Sequence, residues 1–174
     1  MKLVLLPGNN KSNKEWIEKV ESELKDLFSS TSIQYYQHWK DDKPLIDFDL
    51  EANKLVENNK EADIVIFAKS AGTLLTLKSI KNNLIIPKKC IFAGVPINWA
   101  RENNFDAELW LEEYNIPTLF IQNTNDPVFS FKELKELLAE KKLKNYKIIE
   151  LPGNSHDYKD LNKLRELIVS FLNS

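Results

Sequence analysis

Two kinds of segment alternate along the chain. Leu3–Leu6, Ile64–Ala68, Cys90–Ala93 and Leu119–Ile121 are continuous apolar runs, the pattern of parallel strands covered on both faces. Between them the apolar positions recur at helical spacing. Trp16, Ile17, Val20, Leu24, Leu27 and Phe28 share one stripe, with Ser12 and Glu15 spaced as a capping box at its start. Phe48, Ala52, Leu55 and Val56 form a second stripe. Phe131, Leu134, Leu137 and Leu138 form a third, and Leu161, Leu164, Leu167, Ile168, Phe171 and Leu172 a last one. Ser32–Tyr36 and Tyr146–Leu151 mix polar and apolar residues, which suits the edges of a sheet. The pattern predicts six strands with intervening helices, one α/β domain around a mostly parallel sheet.

Composition narrows the classes of function. A chain of 174 residues with 43% hydrophobic and 29% charged positions is one ordinary globular domain. A net charge of -2 gives no electrostatic footprint for nucleic acid or an anionic membrane, so neither is expected as a partner. Leu3–Leu6 is stopped by Pro7-Gly8, too short for a signal-peptide core, and no membrane-spanning run follows; a soluble, cytoplasmic protein is the expectation. One cysteine, Cys90, and two histidines, His38 and His156, exclude an intrachain disulfide and a zinc site of four cysteines or of two cysteines and two histidines. Any imidazole chemistry must use one of those two histidines.

The third apolar run passes into Ala68-Lys69-Ser70-Ala71-Gly72 and then an apolar helix. A buried strand, a small-x-Ser-x-Gly turn and a helix form the setting of a nucleophile elbow, in which a strained backbone pushes the serine hydroxyl out over the sheet. A serine that merely caps the helix has the same local pattern. The rest of the chain weighs against that simpler reading. A serine hydroxyl needs a base and a carboxylate to orient the base. His156 follows the sixth predicted strand and Asp126 the fifth, so all three residues lie just past carboxyl ends of strands, in the order Ser, Asp, His. Asp157 is a rival carboxylate, less natural because side chains of sequence neighbours diverge. The oxyanion donors are expected to be the N–H of Ala71 and that of Asn9, or of Asn10, in the loop Pro7-Gly8-Asn9-Asn10-Lys11. That loop is otherwise a plain turn, and it lacks either glycine-rich phosphate pattern.

With these residues in place the chain resembles the small α/β-hydrolases related to retinoblastoma-binding protein 9 and the bacterial YdeN-like proteins. The resemblance rests on the Pro7-Gly8-Asn9 loop, Ser70-Ala71-Gly72, Asn125-Asp126-Pro127-Val128 and the Gly-x-x-His loop ending at His156. It implies a single α/β-hydrolase domain over residues 1–174, a three-layer core with helices on both faces, strand order 2-1-3-4-5-6 and a minimal lid. The chain departs from the family at Ala68, where glycine is usual, and at Lys69. Lys69 either favours an acidic substrate or is solvated, and solvation is the preferred reading.

Trp39, Trp99, Phe105 and Trp110 lie near strand ends, where some would line an acyl pocket and the others serve as core or cover. His38 reads as a surface residue at the sheet edge and Cys90 as core. Asp47-Phe48-Asp49 resembles a phosphatase pattern but follows no buried strand, and it is set aside. The expectation is a carboxylesterase-like serine hydrolase acting on an ester, thioester or small amide, a small-molecule acyl substrate, with Ser70, Asp126 and His156 catalytic and no cofactor or metal. The alternative is a non-enzymatic module on the same scaffold that binds a protein partner. A flavodoxin-like cofactor binder using the Pro7–Lys11 loop is a third class.

Overall fold

The computed structural model describes residues 1–60 and 63–174. Six strands, β1 (Lys2–Leu6), β2 (Ser30–Ile33), β3 (Ile64–Lys69), β4 (Lys89–Ala93), β5 (Thr118–Asn123) and β6 (Tyr146–Leu151), form one sheet in the order β2-β1-β3-β4-β5-β6. Every pairing is parallel. The helices are α1 (Asn13–Leu24), α2 (Phe48–Glu57), α3 (Ala71–Lys81), α4 (Ile97–Glu102), α5 (Ala107–Trp110), α6 (Phe131–Glu140) and α7 (Leu161–Leu172).

Alternation along the strands sorts the core into two layers. Leu3, Leu5, Val65, Phe67, Ile91, Ala93, Leu119 and Ile121 face α1 and α7. Val4, Leu6, Ile64, Ile66, Ala68, Cys90, Phe92 and Phe120 face the layer built on α2, α3 and α6. The central strands β3 and β5 are buried along their whole length, whereas β2 and β6 are largely half-buried, as edge strands are. Burial holds the Cys90 thiol up to about 12, so it is an inert core group. Asp47 caps α2, accepting from the N–H groups of Asp49 and Leu50. Only α4 and α5 interrupt the connection from β4 to β5. No helix among the described residues is long and apolar enough to cross a membrane.

Two local expectations fail for identifiable reasons. Ser12 does not cap α1: its backbone is already helical, at φ -60° and ψ -17°, and its side chain makes no capping bond. A cap needs an extended residue at that point. Glu15 instead pairs with Lys19 at 2.6 Å, and the capping box that does form is Ser130 with Glu133 on α6. The second edge strand ends at Ile33 rather than Tyr36. Beyond Gln34 the chain turns inward over the end of β1, and Tyr36 is fully buried with its hydroxyl donating to the Pro7 carbonyl at 2.7 Å.

The tightest of the glycine contacts lies where α3 leaves β3. A Cβ on Gly72 would fall 2.4 Å from the Leu6 carbonyl oxygen and 2.8 Å from that of Pro7. Both are backbone atoms held in β1 and its exit, so neither can move alone. Gly72→Ala is therefore expected to lower stability by about 1–3 kcal/mol, read as a lower urea midpoint. An unchanged midpoint would contradict the contact.

Candidate active site

Ser70 occupies the single-residue junction between β3 and α3 at φ 52° and ψ -123°, in the region that residues with a Cβ seldom enter. Its side chain makes no helix-capping bond. Oγ instead lies 2.9 Å from Nε2 of His156, so the helix-cap reading does not describe this serine. The half-buried His156 ring reaches over from the loop after β6. Its Nδ1 is 2.8 Å from Oδ2 and 3.0 Å from Oδ1 of Asp126. The carboxylate only accepts, so Nδ1 carries the proton and Nε2 is left to accept from the serine hydroxyl. Asp157 is turned away from this line, exposed and 3.3 Å from the Lys159 ammonium.

Asp126, 3% exposed, is held from three directions. Oδ1 accepts from the Val128 N–H at 2.9 Å, Oδ2 accepts from the Tyr158 hydroxyl at 2.9 Å, and His156 completes the set. Tyr158 also accepts from the Asn123 N–H at 3.2 Å, which ties the loop after β6 to the end of β5. Burial, and then the charge of Asp126, push the Tyr158 phenol far above its ordinary range, so it stays a donor to the carboxylate. Gly94 makes room for both rings. At φ 67° it takes a conformation suited to glycine, and a Cβ there would lie 2.9 Å from Cε1 of His156 and 2.7 Å from Tyr158. Sequence reading passed over Tyr158 and Gly94. The available signals were a tyrosine two positions after the histidine and a glycine ending a buried strand.

The loop after β1 is clamped from the β2 side. The Asn9 carbonyl accepts from Trp39 Nε1 at 2.6 Å and from His38 Nε2 at 2.8 Å. The Asn9 side chain accepts from the Ile46 N–H and donates to the Pro44 carbonyl. Neither Asn9 nor Ala71 donates its backbone N–H to an acceptor among the described residues. His38 is therefore no surface residue. It is 5% exposed, stacks on Tyr36 and leaves Nδ1 buried without a partner. A ring nitrogen facing a carbonyl must donate, so His38 is protonated at Nε2, the opposite tautomer to His156.

A cavity of about 500 Å³ opens over Ser70, bordered by Asn9, Asn13, Trp16, Lys69, Trp99 and His156 among others. Of the aromatics considered for a pocket, only Trp99 borders it. Phe105 and Trp110 pack edge-on against Phe48, and Trp39 is buried at 7% exposure in its bond to Asn9. Trp16, read as a core-stripe residue, supplies a cavity wall, fixed by its Nε1 donating to the Tyr158 carbonyl at 2.8 Å. Lys69 is not solvated, being only 7% exposed. Strand alternation carries it toward α1, where Asn13 and Trp16 cover it.

No family model matches this sequence, and no curated protein does. Solved structures do. A YdeN-like hydrolase from Pectobacterium atrosepticum superposes with a TM-score of 0.69 at 15% identity, over 98% of this chain and 91% of that one. Est1E of Butyrivibrio proteoclasticus, determined with ferulic acid bound, gives 0.76 at 17% identity, over 99% and 88%. An uncharacterized protein from Bacillus cereus gives 0.74 at 18% identity over 99% of this chain, which spans 60% of that longer one. Other matches include hydrolases of the α/β superfamily. The chain has the α/β-hydrolase fold, in a small form that resembles the YdeN-like structure.

The two histidines of the chain are expected to give separate signatures in a long-range nitrogen–proton correlation spectrum of labelled protein. His38 should appear as the Nε2–H tautomer and His156 as Nδ1–H, with only the latter perturbed by Asp126→Asn. A shared tautomer would contradict the hydrogen bonds described above.

Proposed function

We propose that the protein is a serine hydrolase that cleaves a carboxylic ester, thioester or small amide. The observation that carries this reading is the unbroken line from Asp126 through His156 to Ser70, at 2.8 and 2.9 Å, ending on a serine held at φ 52°. A line of that kind makes the hydroxyl a nucleophile without a metal or a bound group.

In the first step Ser70 Oγ forms a bond to the substrate carbonyl carbon as its proton passes to His156 Nε2. The carbonyl oxygen takes the negative charge, facing the N–H groups of Ala71 and Asn9. Asp126 stabilises the imidazolium through Nδ1–H. Collapse of the tetrahedral species breaks the bond to the leaving alcohol, thiol or amine, which departs with the proton from Nε2. Water then repeats the sequence on the acyl-serine: it loses a proton to His156, the acid is released, and Ser70 regains its hydrogen. Tyr158 acts through Asp126 as a positioning residue, and His38 with Trp39 acts through the Asn9 carbonyl.

A fluorophosphonate probe should label the protein at Ser70, and Ser70→Ala should abolish both the label and hydrolysis of short-chain esters. Asp126→Asn should lower kcat by about a thousandfold or more. Labelling that persists without Ser70 would overturn the assignment. Absence of labelling, and of turnover across an ester panel, would favour the protein-binding scaffold instead. Tyr158→Phe keeps the ring and removes the donor to Asp126. It should cut kcat about tenfold with little change in KM, and an equal effect on both would point to misfolding of the loop.

A further inference from the structure

The triad makes no use of Lys69, although it is the residue before Ser70 and borders the same cavity. Lys69 is 7% exposed as a residue, yet its ammonium lacks a counter-ion: no carboxylate oxygen of the described residues lies within 4.0 Å. Nζ donates to Asn13 Oδ1 at 2.8 Å and stands 5.6 Å from the centre of the Trp16 ring. An ammonium has three N–H donors, so Asn13 leaves two of them without an acceptor among the described residues. Two aspartates act on it from a distance, and both are engaged elsewhere. Asp157 pairs with Lys159 at 3.3 Å, while Asp126 is bound by His156 and Tyr158. Burial lowers the Lys69 pKa, and Asp157 and Asp126 oppose that shift.

Burying an unpaired cation is costly, and the cost falls away when an anion pairs with it. A surface lysine would gain little from such a pairing, because water screens it. Lys69 is largely shielded by the protein and borders the cavity over Ser70, where a charge-assisted bond to a carboxylate is strong. Trp16, locked to the Tyr158 carbonyl, gives a flat apolar wall along which methylene groups can lie.

We propose that Lys69 binds a carboxylate of the substrate. Resting on the serine-hydrolase reading above, this makes the substrate an ester that bears a free carboxylate a few atoms from the scissile carbonyl. Half-esters of short dicarboxylic acids are the class that fits.

The test compares the para-nitrophenyl esters of glutaric acid (as the half-ester) and of valeric acid, which have the same carbon count and differ in the terminal carboxylate. After subtraction of uncatalysed hydrolysis, kcat/KM should favour the half-ester by about tenfold or more. Lys69→Met should bring the ratio close to one, and Lys69→Arg should retain most of it. A ratio unmoved by Lys69→Met overturns the proposal. So does an equal slowing of both esters, which would make Lys69 a strut for Asn13 and the loop after β1. A second arm does not depend on turnover. By calorimetry, the Ser70→Ala protein should bind monomethyl glutarate about tenfold more tightly than methyl valerate, a preference absent once Lys69→Met is added. Missing fluorophosphonate labelling with this binding preference intact would fail the hydrolase reading alone; equal binding of the two esters would fail the Lys69 proposal alone.

Discussion

A strand can pass straight into a helix across its own carboxyl end only if one residue takes a backbone conformation that its side chain disfavours and the next turn of helix comes very close to the sheet. Ser70 takes that conformation at φ 52°, and Gly72 permits the approach, with no room for even a methyl group against the end of β1. Local strain of this kind persists only where the surroundings over-determine it. Here the surroundings are a strand buried on both faces and a helix whose inner residues are almost all buried. The core layers hold the turn, and the turn raises Oγ above the sheet. Every other part of the site is arranged with respect to that hydroxyl.

The remaining parts come from loops at the same edge, and each is fixed by a bond to a neighbouring strand end. Asp126 after β5 is held by Tyr158 after β6; His156 fits because Gly94 after β4 has no side chain; Asn9 after β1 is held by His38 and Trp39 after β2. The loops therefore brace one another across the top of the sheet. A hydrogen bond to a charged or strongly polar group in a part-buried setting is stronger than one in water, so few such ties suffice to order loops that carry little apolar contact of their own.

Much of this was legible in the chain because parallel strands covered on both faces produce long apolar runs, and loops at their carboxyl ends can be read off directly. Ser70, Asp126 and His156 stood out by position, and the strand order followed from the resemblance. What the pattern did not carry is telling. Ser12 has the spacing of a capping box, yet the conformation of the preceding loop decides whether a cap forms, and spacing does not encode that. Tyr36 falls in a run of mixed polarity that suits an edge strand, and His38 reads as a surface residue at the sheet edge. Their burial arises from a turn of the chain over β1, a contact between segments about thirty positions apart. Tyr158 and Gly94 matter only through the rings and carboxylate they meet in space.

Lys69 illustrates the same limit in one side chain. Strand alternation alone assigns it to the face opposite Ala68, but not what covers that face. A lysine at the rim of a sheet is ordinarily solvated, and its flexible stem lets the charge find water. Here α1 lies across the rim, so that Trp16 and Asn13 occupy the space the stem would use. The charge is thereby confined beside Ser70, with its Asn13 partner also bound to the loop after β1 through the Asn10 carbonyl. The Lys69 charge and the loop after β1 are thus joined through Asn13. A ligand that neutralised Lys69 would act on the short chain of bonds that runs through Asn13 to the Asn10 carbonyl.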